Sequence, residues 1–582
     1  MKRSTGKRQR LSCSLALFFV LPLFALPLLT STAQAAERVG DFALLDQDGN
    51  FHHMSWYDDH KAIAFLVQVN GSAQTAEAAA DYARLQSRFD AEGIEFMLIN
   101  PLGETRADVK QALAQIGVQL PVLIDDAQVI SEAMGIDKSG EAFLYDPRSF
   151  EVIFRGPVSA LETALKDVVA GRAVSTPVVA LVDAPAADIR YPVTELVSYE
   201  ADVAPILAEN CASCHREGGI APFAMDSHAM VQGWSPMIRE VLMTKRMPPG
   251  QIDPHVGSYS NDYVLSVQEQ QTLISWIEAG ALKDGSTDPL MELTWPETKW
   301  ALGEPDLIVK VPPQTIPATG VLDYITVEVP FDGLETDRWV RASQYLPGDR
   351  TVLHHTLNDI IPPDANEQRG FLGGGDPNQA NITAYIPGAE PSIEPANTGG
   401  LLRAGSKLRL QLHYTTNGKE TVDASEIGVW FYPEGEVPAE RMSGRCACIF
   451  TPSWTNITPY DPAFEMSQSV VIERDAHMYG FLPHMHFRGK SMRFTAFYPD
   501  GTQEELINIA NYNYNWQIRY LMEEPKLMPA GTRVVATGVF DNSTQNKNNP
   551  DPSRSVPWGQ QSWDEMFFGA MSWKYVDQGA GG

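Results

Sequence analysis

Residues 407–414 have the sequence KLRLQLHY, in which polar and apolar side chains alternate. Because successive side chains of a strand point to opposite faces of the sheet, this segment is predicted to be a strand with one buried face. Similar short segments, separated by Gly, Pro, Asn and Asp, recur through the rest of the C-terminal half. They are Leu322–Val329, Ile427–Tyr432, Ser469–Ile472, Ser491–Tyr498 and Arg533–Phe540. The pattern is typical of all-β sandwiches, and its length favours two of them, residues 300–440 and 441–576.

The regions before these β segments have different periodicities. Apolar residues recur at helical spacing in Val203–Asn210, Met230–Met243 and Val267–Ala281, which predicts a small all-α domain at residues 198–292. Strand and helix patterns alternate over residues 37–175, which indicates an α/β sheet layer. Residues 176–197 are rich in Ala, Pro and Val and are predicted to be a linker. The predicted fold class is therefore multidomain, with α/β, all-α and all-β parts.

The first 36 residues predict export. A basic start is followed by the apolar stretch Leu15–Leu29 and then by Ala33-Gln34-Ala35, the pattern of a cleaved signal peptide spanning residues 1–36. No later apolar run reaches about 18 residues, so no membrane span is expected after cleavage. The formal net charge of -29 disfavours nucleic acid as a partner, because its phosphates carry the same sign. We expect a periplasmic or secreted protein.

Residues 211–215, Cys-Ala-Ser-Cys-His, form a C-x-x-C-H motif. The two thiols can bind the vinyl groups of one haem, and the histidine that follows can ligate the iron. A redox-active or zinc-binding dithiol is the alternative. A redox-active dithiol, however, would be expected beside a βαβ unit, and a zinc-binding dithiol would need another cysteine pair nearby.

Met247 precedes two prolines and is the preferred second axial ligand of this haem, although it could instead be a core residue. The segment 198–292 resembles class I cytochrome c domains, in which the methionine of a Met-Pro-Pro-type loop closes the haem site. The resemblance implies one covalent haem c, held by Cys211, Cys214, His215 and Met247.

Five of the six histidines after residue 350 fall into three groups, His354-His355, His413 and His484-x-His486. Alternate residues of a strand share a face, so His484 and His486 can bind one metal ion. The adjacent His354 and His355 can do so only at a strand end or a bulge. Any single group could be surface or hydrogen-bonded histidines, but three groups in one exported β region favour metal binding.

Four motifs in a fixed order make a specific resemblance visible. They are Val352-Leu353-His354-His355, Gln411-Leu412-His413-Tyr414, His484-Met485-His486 and Asp564-Glu565-Met566. Residues 300–576 thereby resemble the copper type II, ascorbate-dependent monooxygenases, the family of peptidylglycine α-hydroxylating monooxygenase and dopamine β-monooxygenase. The resemblance implies two copper ions. It assigns an electron-transfer copper to His354, His355 and His413, and a catalytic copper to His484, His486 and Met566.

The chemistry of these side chains agrees with copper. Imidazole suits both copper oxidation states, and a thioether favours Cu(I). Zinc could bind three histidines, but methionine would be an unusual zinc ligand. Met566 could instead lie in the core, with Met571 or Met485 as the ligand, although Met485 should face away from the histidines that flank it.

Two positions depart from the peptide-hydroxylating members of the family. Leu482 and Ala570 stand where those enzymes have an arginine and a tyrosine that hold the substrate carboxylate. We therefore expect the substrate to be an organic small molecule that either carries no charge or carries a charge unlike that of a glycine-extended peptide. Gln411, two residues before His413, is expected to help orient that histidine.

The α/β region resembles the thioredoxin-like, peroxiredoxin-related fold through Val39–Phe42, Pro121–Asp125 and Glu141–Leu144. Asn70–Gln74 lies where that family has C-x-x-C, and Gly140 lies where it has a cis-proline. Without a thiol there is no thiol exchange, so a docking or scaffolding role is predicted.

Cys446 and Cys448 form a separate C-x-C pair. They could bind a metal ion in transit, form a short-loop disulfide or remain as free thiols. Two cysteines alone rarely make a metal site, which disfavours the first alternative. The sequence does not choose among the three.

Together these features predict an exported monooxygenase that hydroxylates a C–H bond of an organic small molecule with O2. In the resembling family ascorbate supplies the electrons. Here the fused haem could take that place, with an ascorbate-like reductant or a redox protein as the donor, because tethering raises the effective concentration of the carrier. The alternative is a periplasmic electron-transfer or copper-binding protein without oxygenase activity. Zinc-dependent hydrolysis is less favoured, because no general-base motif is suitably placed.

Overall fold

The computed structural model describes residues 37–181, 189–192, 197–295, 299–364, 378–388 and 391–577. The predicted signal peptide and much of the predicted linker lie outside these ranges. Within them, no helix combines the length and the apolar character that crossing a bilayer requires.

The N-terminal region is built on an eight-stranded sheet with the order β1-β8-β7-β4-β5-β6-β2-β3. Its strands are β1 (Glu37–Arg38), β2 (Ala43–Asp46), β3 (Phe51–His53), β4 (Ala62–Val67), β5 (Ile94–Asn100), β6 (Val122–Ile124), β7 (Glu141–Asp146) and β8 (Glu151–Pro157). Its helices are α1 (Ala73–Phe89), α2 (Arg106–Ile116), α3 (Val129–Ala133) and α4 (Val158–Val169). Strands β4, β5 and β6 are parallel, whereas β7 and β8 run antiparallel to their neighbours. The predicted α/β layer is confirmed.

Local sequence accounts for these central elements. All six residues of β4 are buried, as expected of an apolar strand that is covered on both faces. Helix α1 begins where the Ser72 hydroxyl oxygen accepts a hydrogen bond from the Thr75 amide at 3.2 Å. Helix α2 ends at Gly117, whose φ of 69° suits the left-handed conformation of a helix C terminus.

The second region contains helices and turns. The helices α5 (Ala204–Asn210), α6 (His228–Met243) and α7 (Val267–Glu278) agree with the predicted helical segments, and a π-helical turn at Tyr199–Val203 precedes α5. Helix α7 starts with a reciprocal capping box between Ser266 and Glu269. A small core that includes Leu207, Val231, Leu273 and Trp276 joins the three helices.

The third region consists of short antiparallel strands in three sheets. They are β9 (Leu307–Lys310), β10 (Gln314–Ile316), β11 (Ile325–Pro330), β12 (Arg338–Leu346), β13 (Leu353–Ile361), β14 (Ser392–Ile393), β15 (Gly400–Leu402), β16 (Lys407–Tyr414), β17 (Thr421–Asp423) and β18 (Glu426–Phe431). The order is β11-β16-β13 in one sheet and β14-β12-β18-β9 in the next, while β10 pairs with β17. Strand β16 matches the alternating segment 407–414 end to end, and its apolar residues are buried.

The fourth region contains two four-stranded antiparallel sheets, β19-β26-β21-β24 and β20-β25-β22-β23. The strands are β19 (Ser443–Ile449), β20 (Phe464–Val471), β21 (Ala476–His484), β22 (Gly489–Phe497), β23 (Gln503–Ile509), β24 (Tyr520–Met528), β25 (Arg533–Phe540) and β26 (Phe567–Tyr575). Within the sheets, the strands of this region pair with one another, and so do those of the third region. The domain boundaries themselves remain predictions.

The described residues from Glu37 onward form one compact unit, and Asp253 lies where three of its regions meet. Its carboxylate pairs with Arg106 of α2 and accepts a hydrogen bond from the Asn508 amide of β23 at 2.9 Å. Asn508 also donates to the Gly49 carbonyl at 2.8 Å. Gly49 has φ +76°, and a Cβ there would lie within 3.0 Å of Asn508, Arg106 and Asp253, so only glycine fits this close approach.

This junction predicts a pH effect on stability. Hydrogen bonds of the His255 ring with Asp126 (3.0 Å) and Asp253 (3.3 Å) raise the pKa of His255 from 6.5 to about 9. Because the folded protein holds this proton more tightly than the unfolded chain, the stabilisation is complete below pH 6.5 and is lost as the pH rises through about 9. Between pH 6.5 and about 9 we expect the free energy of unfolding of the wild type to fall. In His255→Gln, which lacks the titrating ring, we expect it to fall less. Identical pH profiles of denaturant unfolding in the two proteins would contradict this expectation.

Candidate functional site

The predicted metal ligands of the two β regions lie around one cavity of about 610 Å³. His355 and His413 contribute to its wall from the third region, and His484, His486 and Met566 from the fourth. His354 is adjacent, with its Nδ1 atom 2.8 Å from the Nδ1 atom of His355. The rings of His355 and His484 are 6.4 Å apart between centroids, so the two predicted ligand sets face each other across a short distance.

Strand register brings the first three histidines together. His355 and His413 are direct partners on the antiparallel strands β13 and β16, and their ring centroids are 3.8 Å apart. A β-bulge between Leu353 and His355 shifts the register at His354, which meets the condition set by the sequence for two adjacent histidines to share a site. The His413 Nε2–H donates to the Gln411 amide oxygen at 3.2 Å, as expected for an orienting residue.

His484 and His486 are held by hydrogen bonds on their Nδ1 atoms. The His484 Nδ1–H donates to the Gln517 amide oxygen at 2.6 Å, and the Gln517 NH2 group donates to the Tyr514 carbonyl, which fixes the orientation of the amide. The His486 Nδ1–H donates to the Asp564 carbonyl at 3.2 Å. Both imidazoles therefore keep an unprotonated Nε2, the atom that can ligate a metal ion.

The buried side chains of a glutamate and an arginine position the H-x-H segment. Glu565, which is fully buried, accepts hydrogen bonds from the amides of His486 (2.8 Å) and Arg488 (2.7 Å). Arg488, also fully buried, donates to Asn542 at 2.8 Å and to the Trp563 carbonyl at 3.0 Å. The loop before β26, which carries Met566, is thereby attached to the segment that carries the two histidines.

Among the three candidate methionine ligands, Met566 is the one on the cavity wall. Met485 and Met571 belong instead to the hydrophobic core of the fourth region. Met485 thus faces away from His484 and His486, as strand alternation predicts.

Burial keeps the histidines in the form that binds metal ions. It lowers the pKa of His484 to about 4 and that of His486 to about 3. The pKa of His413 falls to about 2, chiefly through burial and secondly through repulsion by neighbouring histidines. At neutral pH these rings are uncharged, with a lone pair free for coordination.

The side-chain types around the cavity, imidazole and thioether, are ligands that suit copper. As the side chains stand, no three His, Cys, Asp or Glu residues within the described ranges are gathered closely enough to hold one ion. The His413 Nδ1 atom is buried without a hydrogen-bond partner, and the facing Nδ1 atoms of His354 and His355 have only each other. A metal ion would satisfy these buried nitrogen atoms, which is the observation on which the fit depends.

The C-x-x-C-H motif lies directly after α5. Cys211 and Cys214 are free thiols, and both are half-buried. The His215 Nδ1–H donates to the Phe223 carbonyl at 3.1 Å, so its Nε2 is available as a ligand. Phe223 in turn stacks on Trp234 of α6, which gives the histidine an aromatic support. These residues fit covalent haem, and Met247 lies half-buried in the loop after α6.

The loop that contains Met247 packs against the fourth region. The Tyr520 hydroxyl donates to the Gly250 carbonyl at 2.8 Å, and a side chain at Gly250 would collide with Ile518, which lines the histidine cavity. Residues 258–261 continue along the edge strand β24, where Tyr259 pairs with Met522. The predicted haem region and the histidine cavity therefore share a wall.

Cys446 and Cys448 form a disulfide. The alternative of a short-loop disulfide, one of three that the sequence left open, is the one that the structure shows. Both cysteines lie on the wall of the histidine cavity.

The place of the missing thiols in the α/β region is occupied by hydroxyl groups. The Ser72 hydroxyl donates to that of Ser139 at 2.9 Å, and Gly140 lies against the backbone of Gln74. The segments 70–74 and 139–140 are therefore neighbours, but they present no sulfur.

Sequence reasoning missed several residues of the site, three of which lie on one segment. Gln517, which orients His484, and Tyr514, which stacks on His354 at 4.6 Å, lie on an irregular segment without periodicity. Arg519, on the same segment, is the one Lys or Arg side chain among the described residues of the cavity wall. The only signal was the short run Asn511–Arg519, rich in amides and aromatic residues, between two strands.

Comparisons with known proteins concern the fold of a small part of the chain. A scan against protein-family models finds no match, and no curated protein matches. Among solved structures, a putative thiol:disulfide interchange protein DsbE from Chlorobium tepidum is 18% identical, with 23% of this chain and 96% of that chain covered and a TM-score of 0.21. Peroxidoxin BcpB from Mycobacterium tuberculosis is 13% identical, with the same coverages and TM-score. A thiol-disulfide oxidoreductase from Bacteroides fragilis is 15% identical, with 22% and 98% covered and a TM-score of 0.21.

Proposed function

We propose that this chain is an exported, copper-dependent monooxygenase that hydroxylates a C–H bond of an organic small molecule with O2, with electrons supplied through a fused haem c. The observation that carries the proposal is the convergence of His355, His413, His484, His486 and Met566 from two separate β regions on one cavity. In this proposal the helical region is an all-α cytochrome c domain, and the β regions are two jelly-roll-like sandwiches.

The protein's own residues provide the setting for this chemistry. His354, His355 and His413 would hold one copper ion, and His484, His486 and Met566 the other. Bound copper would supply one-electron redox steps and, as Cu(I), the activation of O2. Gln517 and the Asp564 carbonyl orient the imidazoles of the second set.

The shape and polarity of the cavity favour a largely apolar substrate. Leu482 and Ala570, which replace the family's carboxylate clamp, are direct partners on strands β21 and β26 and both line the cavity. The Phe568 ring, stacked on His484 at 5.5 Å, extends this apolar wall. Arg519 offers a cation that could orient a polar or anionic group of the substrate.

Copper analysis of the haem-loaded full chain tests the proposal. We expect two copper ions per chain in the wild type, one in His413→Ala, and two in His60→Ala, which alters a histidine of the α/β region outside the cavity. In Met566→Leu we expect two Cu(II) but only one Cu(I), because the lost thioether is the soft ligand. A folded wild-type protein that takes up no copper would overturn the proposal.

The oxygenase reaction needs its own measurement. After anaerobic reduction and admission of O2, haem reoxidation should depend on copper and become faster with suitable members of a panel of small organic molecules. Two bound coppers without substrate-coupled turnover across the panel would favour the alternative, a periplasmic electron-transfer or copper-binding protein.

A further inference from the structure

The Cys446–Cys448 disulfide lies beside the cavity that the histidines line. Both residues are on β19, where alternation directs them to one face while Ala447 and Ile449 are buried in the core. That face is the wall of the histidine cavity. Cys446 is exposed and Cys448 half-buried, so a reductant in solution can reach the pair.

The disulfide contributes little to holding the chain together. The two cysteines are separated by two positions, so the bond closes a minimal loop and removes little entropy from the unfolded chain. The strand that carries them is already paired with β26 over seven consecutive residues, Ser443–Ile449. An accessible disulfide without a structural task is typical of a bond that is opened and closed in function.

Cross-strand register places the pair beside the predicted catalytic side chains. Cys448 is opposite Phe568, whose ring stacks on His484, and Cys446 is opposite Ala570. Met566 directly precedes β26 and lies on the same cavity wall. The sulfur atoms of the pair and of Met566 therefore belong to one side of the cavity.

We propose that Cys446 and Cys448, once reduced, form a binding site for one Cu(I) ion on the wall of the histidine cavity. A dithiol reductant transfers two electrons and two protons to the S–S bond, which breaks to give two cysteine thiols while the reductant becomes a disulfide. One Cu(I) then replaces the two thiol protons and forms two Cu–S bonds.

The chemistry of the pair selects this ion. Thiolates are soft ligands that prefer Cu(I), whereas structural zinc requires about four ligands. Within the described residues, no third His, Cys, Asp or Glu joins the pair in a ready-made group. A two-thiolate site without hard ligands suits Cu(I) and leaves Zn²⁺ under-coordinated.

Anaerobic Cu(I) titration of the full chain against a coloured Cu(I) chelator tests the site. We expect the dithiol-reduced wild type to bind one more Cu(I) than the oxidised wild type. This increment should vanish in Cys446→Ser and in Cys448→Ser and persist in Arg445→Gln, which changes an exposed neighbour on the same strand without adding a sulfur ligand. Cys211 and Cys214 are present in every variant, so an increment that came from them would persist in both serine variants. Copper X-ray absorption should show sulfur scattering that both serine variants lose.

Three results would overturn the inference. The first is equal Cu(I) uptake in the oxidised and reduced wild type, and the second is an increment seen with Zn²⁺ instead of Cu(I). The third is a fall in Tm of more than about 5 °C in Cys446→Ser/Cys448→Ser, because that loss would show that the disulfide is a structural clamp. The histidine sites are intact in all these variants, so the two-copper proposal succeeds or fails separately.

Discussion

Replacement of Arg488 by methionine is expected to lower the free energy of unfolding of the fourth region by roughly 3–5 kcal/mol. Arg488 is fully buried, and its guanidinium donates to Asn542 and to the carbonyls of Trp563 and Asp551. Methionine fills a similar volume but leaves these acceptors without their hydrogen-bond donors. The cost of unpaired buried polar groups therefore exceeds any gain from apolar packing.

Denaturant unfolding followed by tryptophan fluorescence measures this effect, since Trp573 is buried in the hydrophobic core of the fourth region. Arg445→Met is the matched control, because Arg445 is exposed and bonds to the carbonyl of its neighbour Gly444. We expect this control to stay within about 0.5 kcal/mol of the wild type. An Arg488→Met protein as stable as the control would show that Arg488 does not hold the loop before β26.

Asp253→Asn is expected to cost about 3 kcal/mol and to loosen the contact between three regions of the molecule. The Asp253 side chain is fully buried, and the loss of its charge leaves Arg106 of α2, which is 13% exposed, without a counterion. The Nε atom of Arg106 already lacks a hydrogen-bond partner, so this substitution weakens the pairing of a guanidinium that is already incompletely hydrogen-bonded. The pKa of Asp253 is lowered despite burial, because His255 and Arg106 favour its charged form.

Asp48→Asn provides the comparison for this substitution. Asp48 pairs at 2.9 Å with Lys110 of α2, the helix that also carries Arg106, but both side chains are more than half exposed. Such a pair contributes little, so a change of under about 1 kcal/mol is expected. Limited proteolysis should cleave between the regions faster in Asp253→Asn than in Asp48→Asn. Equal rates and equal stabilities would contradict the role given to Asp253.

Regular elements were predictable where one face of a strand or helix is buried. Strands β16 and β25 coincide with the alternating segments 407–414 and 533–540, because each has an apolar face against a core. Strand β12 was missed, since its sequence RWVRASQYL breaks the alternation at a bulge between Val340 and Ala342. Strand β24 was missed because it is an edge strand with several charged residues.

The residue types of the candidate metal ligands could be predicted from the sequence, but the residues that orient those ligands could not. The motifs named His484 and His486, and the condition of a bulge at His354 is met by the fold. The partnership of His484 with Gln517 spans 33 positions and depends on how an irregular segment crosses the sheet. No periodicity marks that crossing, so the orientation of the imidazole and the position of Arg519 required the three-dimensional structure.

The pairing of residues 258–261 with β24 has a practical consequence for dissecting the protein. Ser260 and Glu523 donate amide hydrogens across this contact, to Leu521 and Ser258 respectively, and so cap the outermost strand of its sheet. A truncated protein that starts after the helical region would expose this row of backbone groups to other molecules and tend to self-associate. A soluble catalytic fragment should therefore begin upstream of Gly250, with the haem-side loop retained as a cover.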